Sequence, residues 1–160
     1  MDYMEVVRNR RSIRKYKPDP VPDEVLVEIL EAGRLAPSGA NRQPWHFLVV
    51  RGENRGAMGL PDWAAEAPVV LGVCGDPEVS ASWHVVDPTI AMEHMVLASA
   101  NRGLGTCWLG KLGRDEEVKS VLGIPEHLKV IAVTPVGYPD ESPPAKERKP
   151  LEEIVHYERF

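Results

Sequence analysis

Pro37-Ser38-Gly39-Ala40-Asn41-Arg42-Gln43-Pro44-Trp45 lies between a run with helical periodicity and a run with the composition of a strand, and it resembles neither. Pro37 disfavours helix at the residue before it, Gly39 is free to take a positive φ, and Ser38, Asn41 and Gln43 carry hydroxyl and amide groups that donate and accept hydrogen bonds. Such a stretch is either a polar turn whose side chains serve only their own backbone, or a loop arranged to hold a ligand. Its neighbours in the chain bear on that choice.

Upstream, Arg8-Asn9-Arg10-Arg11-Ser12-Ile13-Arg14-Lys15-Tyr16-Lys17 holds six of the 19 Lys and Arg residues and no Asp or Glu. Outside it 13 basic residues stand against 24 acidic ones, and the whole chain carries a net charge of -5. One concentrated positive site on an acidic protein suits a small anion. If the chain is extended after Arg10, alternation puts Arg10, Ser12 and Arg14 on one side and Lys15 on the other. Two guanidinium forks flanking a hydroxyl match the oxygens of a phosphate. Taken singly, the run also fits a solvated helix end, where cations meet the negative pole of the helix dipole.

A length of 160 residues at 43% hydrophobic composition implies one domain over residues 1–160, able to bury roughly 70% of the surface that its unfolded chain exposes. Cys74 and Cys107 sit in apolar extended runs, which favours free buried thiols in a reducing, cytoplasmic setting. Met1-Asp2-Tyr3-Met4-Glu5 has no basic flank before an apolar core, and no run of about 18 apolar residues occurs, so neither a signal peptide nor a membrane span is expected.

The remaining elements follow from periodicity and punctuation. Asp2 caps a short helix through Arg8, with Met4 and Val7 on one buried face. Pro18, Pro20 and Pro22 stiffen a connector; Asp23-Glu24 then open a helix with the stripe Val25, Leu26, Ile29 and Leu30. Trp45 to Val50 and Val69 to Cys74 have the composition of buried strands. Residues 53 to 66, interrupted by Gly56, Gly59 and Pro61, form a loop with room for a short helix, and 78 to 86 has no clear period. Asp87-Pro88 caps and starts the longest helix, which ends before Gly103 and has apolar residues on two sides. Thr106 to Leu109 is a short strand, Asp115 to Leu122 a helix stopped by Gly123, and Leu128 to Gly137 a longer strand. Beyond Tyr138, prolines prevent regular structure. Leu151, Ile154, Val155, Tyr157 and Phe160 leave a tail with apolar groups to dock elsewhere.

Four segments together, in this order and spacing, resemble the nitroreductase family of flavin mononucleotide (FMN) proteins. They are Arg10-Arg11-Ser12-Ile13-Arg14-Lys15-Tyr16, Leu35 through Trp45, Gly103-Leu104-Gly105-Thr106-Cys107-Trp108-Leu109-Gly110, and Lys146-Glu147-Arg148. The resemblance runs from about Met4 to Leu151. It implies an α+β fold with a central mixed, mainly antiparallel sheet flanked by helices, and a tail, residues 146–160, that embraces the second subunit of a homodimer.

It also implies a site. Arg10, Ser12 and Arg14, with Arg11 between them, would grip the FMN phosphate, and Lys146 and Arg148 would arrive from the tail. Pro37, Ser38, Gly39 and Asn41 would come from the other subunit to read the ring, with Gln43 holding that loop. The segment Leu109-Gly110 would place a backbone N–H near the ring nitrogen that accepts hydride. The implied reaction passes a hydride from NAD(P)H through FMN to an electron-poor acceptor, a nitroaromatic or quinone, in two half-reactions. It needs no side-chain nucleophile and no metal, and none of His46, His84, His94, His127 and His156 has metal-ligand spacing to a partner.

The chain is shorter than many family members between Val50 and Asp87, which implies a thinner cover over the flavin. A flavin-binding carrier or sensor without turnover would keep the same motifs. A nucleic-acid protein is disfavoured by the acidic remainder of the chain.

Overall fold

The apolar runs at Val69 and Val130 are continuous because they form the middle of a sheet covered on both faces. The computed structural model describes residues 2–160. Its strands are β1 (Trp45–Val50), β2 (Val69–Gly75), β3 (Gly105–Thr106), β4 (Leu109–Gly110) and β5 (Lys129–Gly137), in the order β1-β2-β5-β3, with β4 also on β5. All of these pairings are antiparallel. Among the described residues the one parallel contact is an isolated bridge from Ser12 to Thr106, so the sheet is mixed only at its margin.

Among the described residues six α-helices surround it: α1 (Tyr3–Asn9), α2 (Asp23–Arg34), α3 (Asn54–Ala57), α4 (Asp62–Ala65), α5 (Val86–Asn101) and α6 (Glu116–Leu122). One core joins Leu26 and Ile29 of α2 and Met92 and Met95 of α5 to Val69, Leu71 and Val73. The other joins Met58, Leu60, Ala64 and Val118 to Val70, Cys74, Val130 and Val133. Successive β2 residues therefore serve opposite cores, as the period of a strand requires. Gly33 is what lets α2 approach α5: a Cβ there would lie 2.8 Å from Met95 Cγ.

Several expectations are corrected. On α1 the buried residue is Val6, at 5% exposure, whereas Met4 and Val7 are exposed; a helix of two turns meets α5 along a single line. β1 is an edge strand, fully buried only at Val50, with the Trp45 and Phe47 rings stacked 6.2 Å apart. The strand expected from Thr106 to Leu109 is two short strands. Its ladder breaks where the Cys107 N–H donates to the Thr134 hydroxyl, at 3.0 Å, rather than to a backbone carbonyl. Asp87 does not cap α5, which begins one residue earlier; its carboxylate accepts the Gly39 N–H at 3.0 Å. Residues 53–66 contain two short helices; Met58 and Leu60 between them and Ala64 in the second close the second core. Both cysteines are free and buried.

Candidate functional site

Helix α1 stops at Arg10, whose N–H still donates to the Val6 carbonyl at 2.9 Å and whose ψ of 132° turns the chain into an extended path. That path is fixed to β3 by the Ser12–Thr106 bridge and by Ile13 N–H donating to Thr106 O at 2.8 Å. The alternation expected of an extended segment holds for Arg10, Ser12, Arg14 and Lys15 but not for Arg11, which reaches the same side. Arg10, Arg11, Ser12 and Arg14 line one cavity of about 450 Å³ together with Arg8, Lys146 and Arg148, and Lys15 does not. Among the described residues, six cations and a hydroxyl surround this space and no carboxylate lines it.

The cations are held differently. Arg11 Nη1 donates to the Arg8 and Arg10 carbonyls, at 2.7 and 2.9 Å, which fixes the bend out of α1. The Arg14 guanidinium lies 5.6 Å from the centroid of the Trp63 ring, a cation–π contact that orients it. A smaller cavity of about 210 Å³ adjoins the first, shares Arg10 and Arg11 with it, and is also lined by Glu141. Toward α5, burial raises the Glu93 carboxyl above its ordinary pKa, while Arg10 and His94 pull in the opposite direction.

The Pro37–Trp45 loop carries unusual backbone. Ala40, Asn41 and Gln43 have φ of 50°, 55° and 52°, a conformation costing about 1–2 kcal/mol for a residue with a Cβ, least for Asn. Gly39, expected to supply the positive φ, does not. It is needed for space instead, because a Cβ there would lie 2.9 Å from Trp83 Cδ1. The loop is held from within: Gln43 N–H donates to Ser38 Oγ at 3.0 Å, and Gln43 Nε2 donates to the Asn41 carbonyl at 3.1 Å. Strain concentrated in an exposed polar loop is typical of a binding element. None of Pro37, Ser38, Gly39, Asn41 and Gln43 lines the basic cavity of its own chain, and neither do Leu109 and Gly110, which pair with Val133 and Ala132 of β5.

Sequence reasoning missed Trp63, Trp83, Asp87 and Glu141. Trp63 lies in the stretch without a readable period, Asp87 imitates a helix cap, and the contact of Glu141 with Arg14 spans 127 positions, so no local pattern signals it. The fold also brings ligand-type atoms of Asp76, Glu78 and His127 within 4.8 Å of one another. Asp76 Oδ1 already accepts the Glu78 and Val79 amides at 2.8 and 3.3 Å, so this group closes the turn after β2. Among the described residues no helix is long and apolar enough to cross a membrane.

These features define an α+β protein with a basic clamp at the margin of its sheet. The nitroreductase family pattern matches residues 7–71 and 55–138. A Methanothermobacter thermautotrophicus protein provisionally named NADH dehydrogenase/NAD(P)H nitroreductase is 36% identical over 92% of this chain and 82% of its own. A Parabacteroides distasonis structure with the same provisional name superposes with a TM-score of 0.93 at 32% identity, covering 100% of this chain and 99% of that one. The structure of an FMN-dependent nitroreductase from Clostridium difficile does so with a TM-score of 0.88 at 29% identity, covering 98% and 99%. The chain belongs to the nitroreductase family.

Proposed function

We propose that the protein passes a hydride from NAD(P)H, by way of FMN held between two subunits, to an electron-poor small molecule such as a nitroaromatic or a quinone, in a ping-pong cycle. The chain is an FMN-dependent oxidoreductase. One observation carries the reading: Arg10, Ser12 and Arg14 from one end of the chain and Lys146 and Arg148 from the other line a single cavity without a carboxylate. That donor set fits a phosphate, since guanidinium forks and a hydroxyl supply directed donors and the ammonium a point charge.

FMN, when bound, would supply the two-electron redox chemistry. The chain's own groups bind and orient. Arg10, Ser12, Arg14, Lys146 and Arg148 would hold and neutralise the phosphate, and Trp63 keeps Arg14 in place. Ser38, Asn41 and the loop amides would offer donors and acceptors for the polar edge of the ring. By the family pattern, the Leu109-Gly110 segment would present a backbone N–H to the ring nitrogen that accepts hydride, and a fixed dipole there would need no reorganisation.

The separation of loop and clamp within one chain supports a site built by two subunits, the loop coming from the partner. Two further features support a homodimer. A groove of about 790 Å³ between α1, α2 and α5 is lined by Tyr3, Leu35, Ile90 and Leu97. The tail leaves Leu151, Tyr157 and Phe160 at 72%, 84% and 105% exposure. On this reading residues 1–160 act as one domain and 146–160 dock on the partner. The two free thiols support a reducing, cytoplasmic location, and the short span between Val50 and Asp87 supports an open site with loose acceptor choice.

The test is to purify the protein without heating, identify any released flavin, and measure NADH and NADPH oxidation with a nitroaromatic or quinone. A yellow protein that outpaces free FMN is expected. A colourless protein that takes up no added FMN overturns the cofactor site, and a yellow one no faster than free FMN is a flavin carrier.

A further inference from the structure

The extended segment after α1 is zipped to the chain leaving β5. Lys17 N–H donates to Tyr138 O and Asp140 N–H donates to Lys15 O, both at 2.9 Å, and Tyr16 faces Pro139 across an antiparallel bridge. Carried one step further, this register sets Arg14 opposite Glu141. There the pairing changes character, because the Arg14 N–H donates to the Glu141 carboxylate instead of to a backbone carbonyl. Beyond that point the tail runs free. Pro143 and Pro144 lack N–H groups, and among the described residues no backbone hydrogen bond ties 142–149 to the rest of the molecule. Yet Lys146 and Arg148 return to the basic cavity.

A carboxylate next to an anion clamp is at first sight misplaced. Glu141 lines the smaller cavity with Arg10 and Arg11, where its charge opposes an incoming phosphate. Its position makes sense as a latch. It is the last residue that fixes the tail before the stiff Pro143-Pro144 connector, and the backbone it grips is that of Arg14, whose guanidinium rests on Trp63.

We propose that Glu141 is a positioning residue for the FMN phosphate clamp: by accepting the Arg14 N–H it aligns that arginine and aims the tail so that Lys146 and Arg148 reach the same cavity. This rests on the FMN reading of the clamp. What matters is the acceptor oxygen and not the negative charge, so the conservative amide should rescue. Gln presents a carbonyl oxygen of the same reach, whereas Ala leaves the N–H without its partner.

The test compares wild type, Glu141→Gln and Glu141→Ala in two measurements. One is FMN affinity by titration of the apoprotein; the other is hydrogen exchange of residues 142–160 without FMN. Glu141→Ala should weaken FMN about tenfold, in line with the loss of one hydrogen bond and of the alignment it provides, and speed tail exchange. Glu141→Gln should stay within about threefold of wild type, since a neutral acceptor keeps most of the bond and removes the repulsion of the phosphate. The latch is overturned if Glu141→Ala leaves either affinity or tail exchange unchanged, or if Glu141→Gln falls as far as Glu141→Ala. If wild type takes up no FMN, the cofactor reading fails, and tail exchange still decides the latch.

Discussion

Arg10 and Lys15 are both basic and separated by only five positions, yet the extended backbone assigns them to different surroundings. Arg10 lines the clamp cavity and Lys15 does not. Arg10→Ala should therefore weaken FMN binding by a factor of about ten or more, the cost of one charge-assisted fork, while Lys15→Ala changes it little. Equal losses in a flavin titration would show that the run acts only as diffuse charge. At Gly39 the constraint is steric. Gly39→Ala sets a Cβ 2.9 Å from Trp83 Cδ1, so either the indole or the loop must shift, and overpacking of this kind costs about 1–3 kcal/mol. An unchanged midpoint in urea would mean that the Trp83 ring swings aside freely.

At the scale of elements, α6 is tied to β5 through one carboxylate. Asp115 Oδ2 accepts the Val130 N–H at 3.0 Å and lies 3.3 Å from Lys119 Nζ, with both side chains buried. Desolvation pushes the Asp115 carboxyl up, but the Val130 amide and the Lys119 ammonium outweigh it and hold the pKa below the ordinary value. Because the folded pKa is depressed, the unfolded chain takes up the proton first as pH falls. The stability Asp115 contributes is complete above about pH 4 and is lost below it, through the folded pKa. Asp115→Asn should cost about 2 kcal/mol at pH 7, since it removes the charge that partners buried Lys119. It should also flatten the acid limb of a plot of urea stability against pH. An unaltered limb would place the acid sensitivity elsewhere.

Legibility in the sequence followed locality. Trp45–Val50 was readable to the residue because β-branched and aromatic side chains cluster between Pro44 and Arg51-Gly52, and α2 because its stripe has a single period. Arg10, Ser12 and Arg14 share one cavity, as the local rule of alternation expects, but Arg11 joins them against that rule because its side chain folds back on the end of α1. Asp87 was misassigned because an acid before proline looks like a cap even when its carboxylate serves a loop 48 positions away. The break between β3 and β4 depends on the Thr134 hydroxyl on another strand, and Trp63 and Glu141 owe their roles to contacts that only the folded chain creates.

For the whole molecule, the decisive feature is that the clamp is drawn from both ends of the chain. Truncation after Pro144 removes two of the six cations around the cavity, Lys146 and Arg148, along with the exposed apolar residues of the tail. These two losses act on different quantities. Missing cations lower the attraction for a phosphate, an effect that salt screens. Missing apolar surface lowers whatever association the tail supports, which scales with the area buried. The truncated protein should thus bind FMN at least about tenfold more weakly and elute at a smaller mass in light-scattering chromatography. The double variant Lys146→Ala/Arg148→Ala, with the tail intact, should lose the affinity but keep the mass. A truncated protein that remains a yellow dimer would remove the tail from both roles. A double variant that also dissociates would mean that the bound phosphate itself holds the subunits together.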